Sequence, residues 1–113
     1  MLKHADFQRV YKQGRRHPGT HLTVFYLKRE GASGPRIGFA VGRVLGGAVV
    51  RNRIKRRLRE AVRSNFPGNL AADLVIHPRK SALSVEFALL NTEIARAFKA
   101  IGKALAATGG DNH

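Results

Sequence analysis

Between residues 51 and 63 the chain reads RNRIKRRLREAVR, and Arg51, Arg53, Lys55, Arg56, Arg57, Arg59 and Arg63 put seven positive charges on thirteen residues. Only Glu60 offsets them within that span. At roughly 100° per residue, Val50, Ile54, Leu58, Ala61 and Val62 share one helical stripe, while Arg51, Asn52, Lys55, Arg56, Arg59 and Arg63 lie largely opposite. One face packs and the other must meet something anionic. Like charges at i and i+4, such as Arg51, Lys55 and Arg59, cost roughly a few tenths of a kcal/mol each. Phosphates between them reverse that sign, and the guanidinium fork suits bidentate contacts to phosphate and guanine. A merely solvated face is the alternative, and the scarcity of acids argues against it.

A second constellation is aromatic. Phe7 and Tyr11 fall on one helix face, and with Phe25 on a strand they form a candidate platform for stacking unpaired bases, with Arg79 and Lys80 as phosphate contacts alongside. Aromatics at i and i+4 are also what plain core looks like, so spacing alone leaves both readings open.

Chemistry by this chain itself has little to stand on. The acids Asp6, Glu30, Glu60, Asp73, Glu86, Glu93 and Asp111 show no paired spacing for metal binding or acid–base work and read as caps and surface charges. His17 and His21 are separated by Pro18 and Gly19, which forbid the helix that would join them as ligands, so they read as loop or strand residues within reach of RNA. No catalytic or metal-ligating residue is expected.

With 21 Lys plus Arg against 7 Asp plus Glu, the formal net charge is +14, a self-repulsion that a polyanionic partner relieves. An apolar fraction of 43% supports a folded core, and 113 residues suit one domain. No apolar run approaches the roughly 20 residues needed to span a bilayer and no signal peptide is evident, so no membrane partner and a cytoplasmic location are expected. The absence of Cys removes disulfides and thiolate metal sites.

These residues need elements to position them. Phe7, Val10 and Tyr11 predict a helix over 3–13, with Gly14 as a left-handed cap. Thr20 to Leu27 alternates as a strand, with Leu22, Val24 and Tyr26 on one face and Thr23, Phe25 and Leu27 on the other. Past the turn at Gly31 to Pro35, Ile37, Phe39 and Val41 predict a second strand, paired with the first as a hairpin. A helix over 48–66 ends at Pro67 and Gly68, and Asp73 to His77 reads as a short buried strand. The last helix carries Phe87, Leu90, Ile94, Phe98, Ile101 and Leu105, with Ser84 as its N-cap and a frayed tail over 108–113. The expected order is α β β α β α, with an additional short strand near Arg43.

The run Gly46, Gly47, Ala48, Val49, Val50, Arg51, Asn52, Arg53, Ile54, Lys55, Arg56, Arg57, Leu58, Arg59, Glu60 resembles the signature of bacterial ribonuclease P proteins, whose hallmark is an Arg-Asn-Arg helix. The likeness extends through Asp6, Phe7, Gln8, Val10, Tyr11 and Gly14, through Arg36, Ile37, Gly38 and Val41, and through 73–80, to about Ile101. The chain departs from that pattern before the helix: relatives often carry Lys-Lys ahead of Gly-Asn, where it has Arg43, Val44 and then Gly46, Gly47.

The resemblance implies an α/β (α+β) sandwich, a single domain in which a sheet of about four strands packs against helices, with a left-handed crossover through the Arg-Asn-Arg helix, against the usual hand. It implies a division of labour, in which a catalytic RNA holds Mg²⁺ and cleaves precursor tRNA while one protein per RNA binds that RNA and the 5′ leader. Carried over by position, Arg51, Asn52, Arg53, Lys55, Arg56 and Arg59 contact the RNA subunit, and Phe7, Tyr11, Phe25, Arg79 and Lys80 contact the leader. From charge alone, a ribosomal-type RNA-binding module is equally expected, whereas a stand-alone protein nuclease finds no support among the acids.

Overall fold

The computed structural model describes residues 2–31 and 34–111, with 108–111 described by backbone alone. Helix α1 (His4–Gln13) starts where the Asp6 carboxylate accepts the Lys3 N–H at 2.9 Å, the backward-reaching half of a capping box. It buries Val10. Gly14 ends it without the expected left-handed turn, since its φ is −87° and its backbone is extended. Glycine is needed for another reason: a Cβ there would stand 2.4 Å from the Tyr26 carbonyl oxygen and 2.5 Å from that of Val10.

Four strands form one sheet in the order β1-β2-β4-β3: β1 (Arg15–Pro18), β2 (Leu22–Lys28), β3 (Arg36–Phe39) and β4 (Ala72–Pro78). The alternation of β2 is as its sequence predicts, with Leu22, Val24 and Tyr26 buried on one face. Its partners are not. β2 pairs antiparallel with β1 and β4, and β3 pairs parallel with β4, so the expected β2–β3 hairpin does not form. The fourth strand is β1, and the segment near Arg43 is a 3-10 turn (Arg43–Leu45). Charges and a proline suit β1 to the sheet edge, where unpaired backbone must be guarded.

The chain crosses from β3 to β4 through α2 (Ala48–Ser64), which packs with α3 (Phe87–Asp111) on one face of the sheet. Leu22, Val24, Leu74 and Ile76 from the sheet meet Ile54, Leu58 and Ala61 from α2 and Leu90, Ile94 and Ile101 from α3 in the main core. The opposite face carries α1 over a smaller cluster of Leu2, Val10 and Val75. Ser84 closes a 3-10 turn (Lys80–Leu83) and α3 begins at Phe87, so Ser84 is not the N-cap of the last helix. α3 continues through Asp111 where fraying from 108 is expected, and residues 112–113 of that expected tail lie outside the described residues. Among the described residues no helix is long and apolar enough to cross a membrane.

Candidate nucleic-acid interface

Parallel pairing of β3 and β4 puts their C-terminal ends side by side, so Arg79 and Lys80 after β4 and the start of α2 after β3 share one end of the sheet. Gly46 makes the turn into α2 with φ +142°, a conformation only glycine adopts freely. Gly47 is the N-cap and supplies no side-chain hydrogen bond, which leaves the first N–H groups of α2 without a side-chain partner.

Along α2, Asn52, Arg53, Arg56, Arg59 and Arg63 are exposed. Two shallow grooves follow them, one lined by Val49, Asn52, Arg53 and Arg56 and the next by Arg56, Arg59, Glu60 and Arg63. Among the described residues Arg53, Lys55, Arg56 and Arg59 have no hydrogen-bond or ion-pair partner, whereas Arg63 pairs with Glu60. Two arginines of the run behave differently. Arg57 turns inward and donates to the carbonyl oxygens of Leu83 and Val85, tying α2 to the segment before α3. Arg51 and Lys55 are half-buried on the flank of the helix, and the Arg51 Nε is buried without a partner.

The aromatic residues converge on the other face of the sheet. Tyr11 and Phe25 meet edge to face with centroids 5.2 Å apart, and His77, which the sequence reading missed, joins both at 5.2 and 5.0 Å. Tyr11 Oη and His77 Nε2 share a hydrogen bond. Burial pushes the His77 imidazole below its ordinary value and the Tyr11 phenol above its own, so both are neutral at pH 7. Phe7 lies over Gly38, where a Cβ would stand 2.5 Å from its ring. All of Phe7, Tyr11, Phe25 and His77 are half-buried, so each packs and still presents a ring surface. Arg16 is exposed beside Phe25 in the β1–β2 register, on the same face. Alternation along β4 from Asp73 through Val75 is the signal that places His77 here.

Arg79 and Lys80 are exposed at the end of β4. Arg79 is held in place, its backbone N–H donating to the His21 oxygen at 2.8 Å and its guanidinium to the Gly19 oxygen at 2.6 Å. His21 Nδ1 and Ser81 Oγ lie 2.8 Å apart, and the Glu93 carboxylate accepts the His21 and Leu22 N–H groups. His21 and Glu93 therefore dock the β1–β2 turn.

The two buried acids, Asp6 and Asp73, are committed elsewhere. At the opposite end of the sheet, Asp73, only 1% exposed, accepts two hydrogen bonds of 2.8 Å from Arg36, with Arg29 at 3.4 Å and Arg9 at 3.9 Å. Asp6 accepts from Lys3, Arg9 and Arg36, and the Lys3 N–H, helped by the two guanidinium groups, holds its carboxyl below the usual carboxylate range. Among the described residues no group of three or more His, Asp or Glu is placed to hold a metal ion.

Comparison with known proteins bears on the family and the fold. The family model Ribonuclease P matches residues 1–102. The ribonuclease P protein component of Symbiobacterium thermophilum is 43% identical over 97 residues, covering 85% of this chain and 84% of that protein. The one from Citrifermentans bemidjiense is 37% identical, covering 91% and 88%. The Staphylococcus aureus RNase P protein superposes with a TM-score of 0.77 at 30% identity, covering 89% of this chain and 93% of that one. The Thermotoga maritima RNase P protein gives 0.76 at 29% identity, with 87% and 94% covered. A match over nearly the whole length, in sequence and in fold, means that this chain belongs to the ribonuclease P protein family.

Proposed function

We propose that this chain, as the protein subunit of the endoribonuclease ribonuclease P, lays the exposed face of α2 on a catalytic RNA and offers its aromatic face to the 5′ leader of precursor tRNA. Arg53, Lys55, Arg56 and Arg59, with Asn52 and the flanking Arg51, neutralise and position RNA phosphates. Phe7, Tyr11 and Phe25, joined by His77, stack leader bases, while Arg79 and Lys80 take leader phosphates at the mouth. Lowering the repulsion between two polyanions raises the affinity for precursor tRNA and for the Mg²⁺ ions that the RNA holds. Hydrolysis of the phosphodiester belongs to the RNA, and one protein serves one RNA in the cytoplasm.

The observation that carries this reading is that Arg53, Lys55, Arg56 and Arg59 stand without a partner among the described residues on a single helix, whereas Arg9, Arg29 and Arg36 are taken up by the buried carboxylates of Asp6 and Asp73. Its test is reconstitution: cleavage of a precursor tRNA by a bacterial ribonuclease P RNA at low Mg²⁺, with and without the protein. Stimulation with correct 5′ ends, and tighter binding of precursor than of mature tRNA, is expected. RNA binding without stimulation would replace this reading with a ribosomal-type module.

A further inference from the structure

A groove of about 380 Å³ runs between the edge strand β3 and the C-terminal half of α2, away from the aromatic face. Pro35, Ile37, Phe39, Val62 and Phe66 make its apolar walls, and Arg59 and Arg63 stand at its rim. Phe66 follows the end of α2 and precedes Pro67, and its side chain is 58% exposed, so the core does not account for it. The sheet edge beside it is open among the described residues, where β3 pairs only with β4. The Ala40 N–H donates to the Ile76 oxygen at 2.9 Å, and the alternation of a parallel ladder then turns the backbone N–H and C=O groups of Ile37 and Phe39 away from β4. Flat apolar surface, free backbone donors and acceptors, and arginines thus meet in one place.

We propose that this groove takes one unstacked nucleobase of the RNA that lies along α2, its ring against Phe66, its polar edge toward the β3 backbone and its flanking phosphates on Arg59 and Arg63. This rests on the reading of α2 as the RNA-binding helix. Arg59 and Arg63 also line the arginine groove on the outer face of α2, so a strand whose phosphates follow that groove passes the mouth of the apolar one. Stacking on an aromatic ring is tolerant of base identity and suits an extruded nucleotide. Charge complementarity selects RNA over a second copy of the chain, which would bring +14 against +14.

The test uses a bacterial ribonuclease P RNA as probe, with affinity measured across a salt series for Phe66→Ala, Phe66→Tyr and Arg56→Ala, and with thermal melting to confirm folding. Phe66→Ala is expected to weaken binding about tenfold with an unchanged salt slope, since a stacked base releases no counterion, and Phe66→Tyr to restore it. Arg56→Ala is expected to lower the slope by about one unit. RNA carrying 4-thiouridine should cross-link on irradiation to the peptide that holds Phe66. An Arg56→Ala effect with none from Phe66→Ala overturns the base site and leaves the α2 reading standing. No effect from either overturns both. Loss of protein self-association in Phe66→Ala, with RNA affinity intact, would make the groove a protein–protein surface and overturn the proposal.

Discussion

Arg9, Arg29 and Arg36 crowd around Asp6 and Asp73 where β3 and β4 begin, whereas Arg53, Arg56 and Arg59 on α2 face solvent with no acid partner among the described residues. The side chains are identical and their surroundings are opposite. In the first set a buried carboxylate demands cations, because an unpaired charge out of water costs several kcal/mol. In the second set nothing within the protein asks for the charge, so it is free for a partner. Formal charge counts both sets alike, and therefore overstates the cations left free for any partner. Arg57 shows the point inside a single helix, since it lies in the densest basic run and is spent on two backbone carbonyls.

The largest effect expected from this contrast is on stability. Arg36→Ala removes both short hydrogen bonds to Asp73 and should destabilise the fold by about 3 kcal/mol, read from urea unfolding, with little change in the salt dependence of RNA binding. A loss below about 1 kcal/mol would mean that Arg29 and Arg9 suffice for the carboxylate. Arg57→Ala should cost about 1 to 3 kcal/mol in the same assay, since two carbonyl oxygens lose charged donors. It too should leave the salt slope alone; a drop of a full unit would move Arg57 to the RNA face.

Arg53→Ala should do the reverse, lowering the log–log salt slope of RNA-subunit binding by about one unit while stability stays within about 0.5 kcal/mol. An unchanged slope would remove Arg53 from the interface. The smallest effect concerns acid. The Asp6 carboxyl is held below its ordinary value of 3.8, so its contribution is full above that pH and is lost as pH falls through the lowered one. Asp6→Asn should flatten the acid limb of a stability–pH curve, and an acid limb of unchanged steepness would show that the Lys3 and arginine contacts do not favour the charged form.

Much of the secondary structure was legible because periodicity is local. The stripe Val50, Ile54, Leu58, Ala61, Val62 marks the buried face of α2, and alternation separates Leu22, Val24 and Tyr26 from Phe25. Strand partners were not legible. Nearness along the chain favours a β2–β3 hairpin, yet β4, buried along almost its whole length on both faces, takes the centre of the sheet between them and leaves the charged β1 to the edge. The glycines show the same limit: at Gly14 two carbonyl oxygens rather than a positive φ exclude a side chain, and one of them belongs to β2.

What the sequence by itself determined is the excess of positive charge and the helix that concentrates it on one face, because net charge and a one-sided basic helix are properties of composition and spacing. The tertiary structure alone decided which cations stay free, that His77 completes the cluster of Tyr11 and Phe25, and that Phe66 and the β3 edge share a groove with Arg59 and Arg63. Those outcomes depend on residues distant in sequence being brought within a few ångströms. Short-range burial and pairing, not residue type, then set what each charge or ring is able to do.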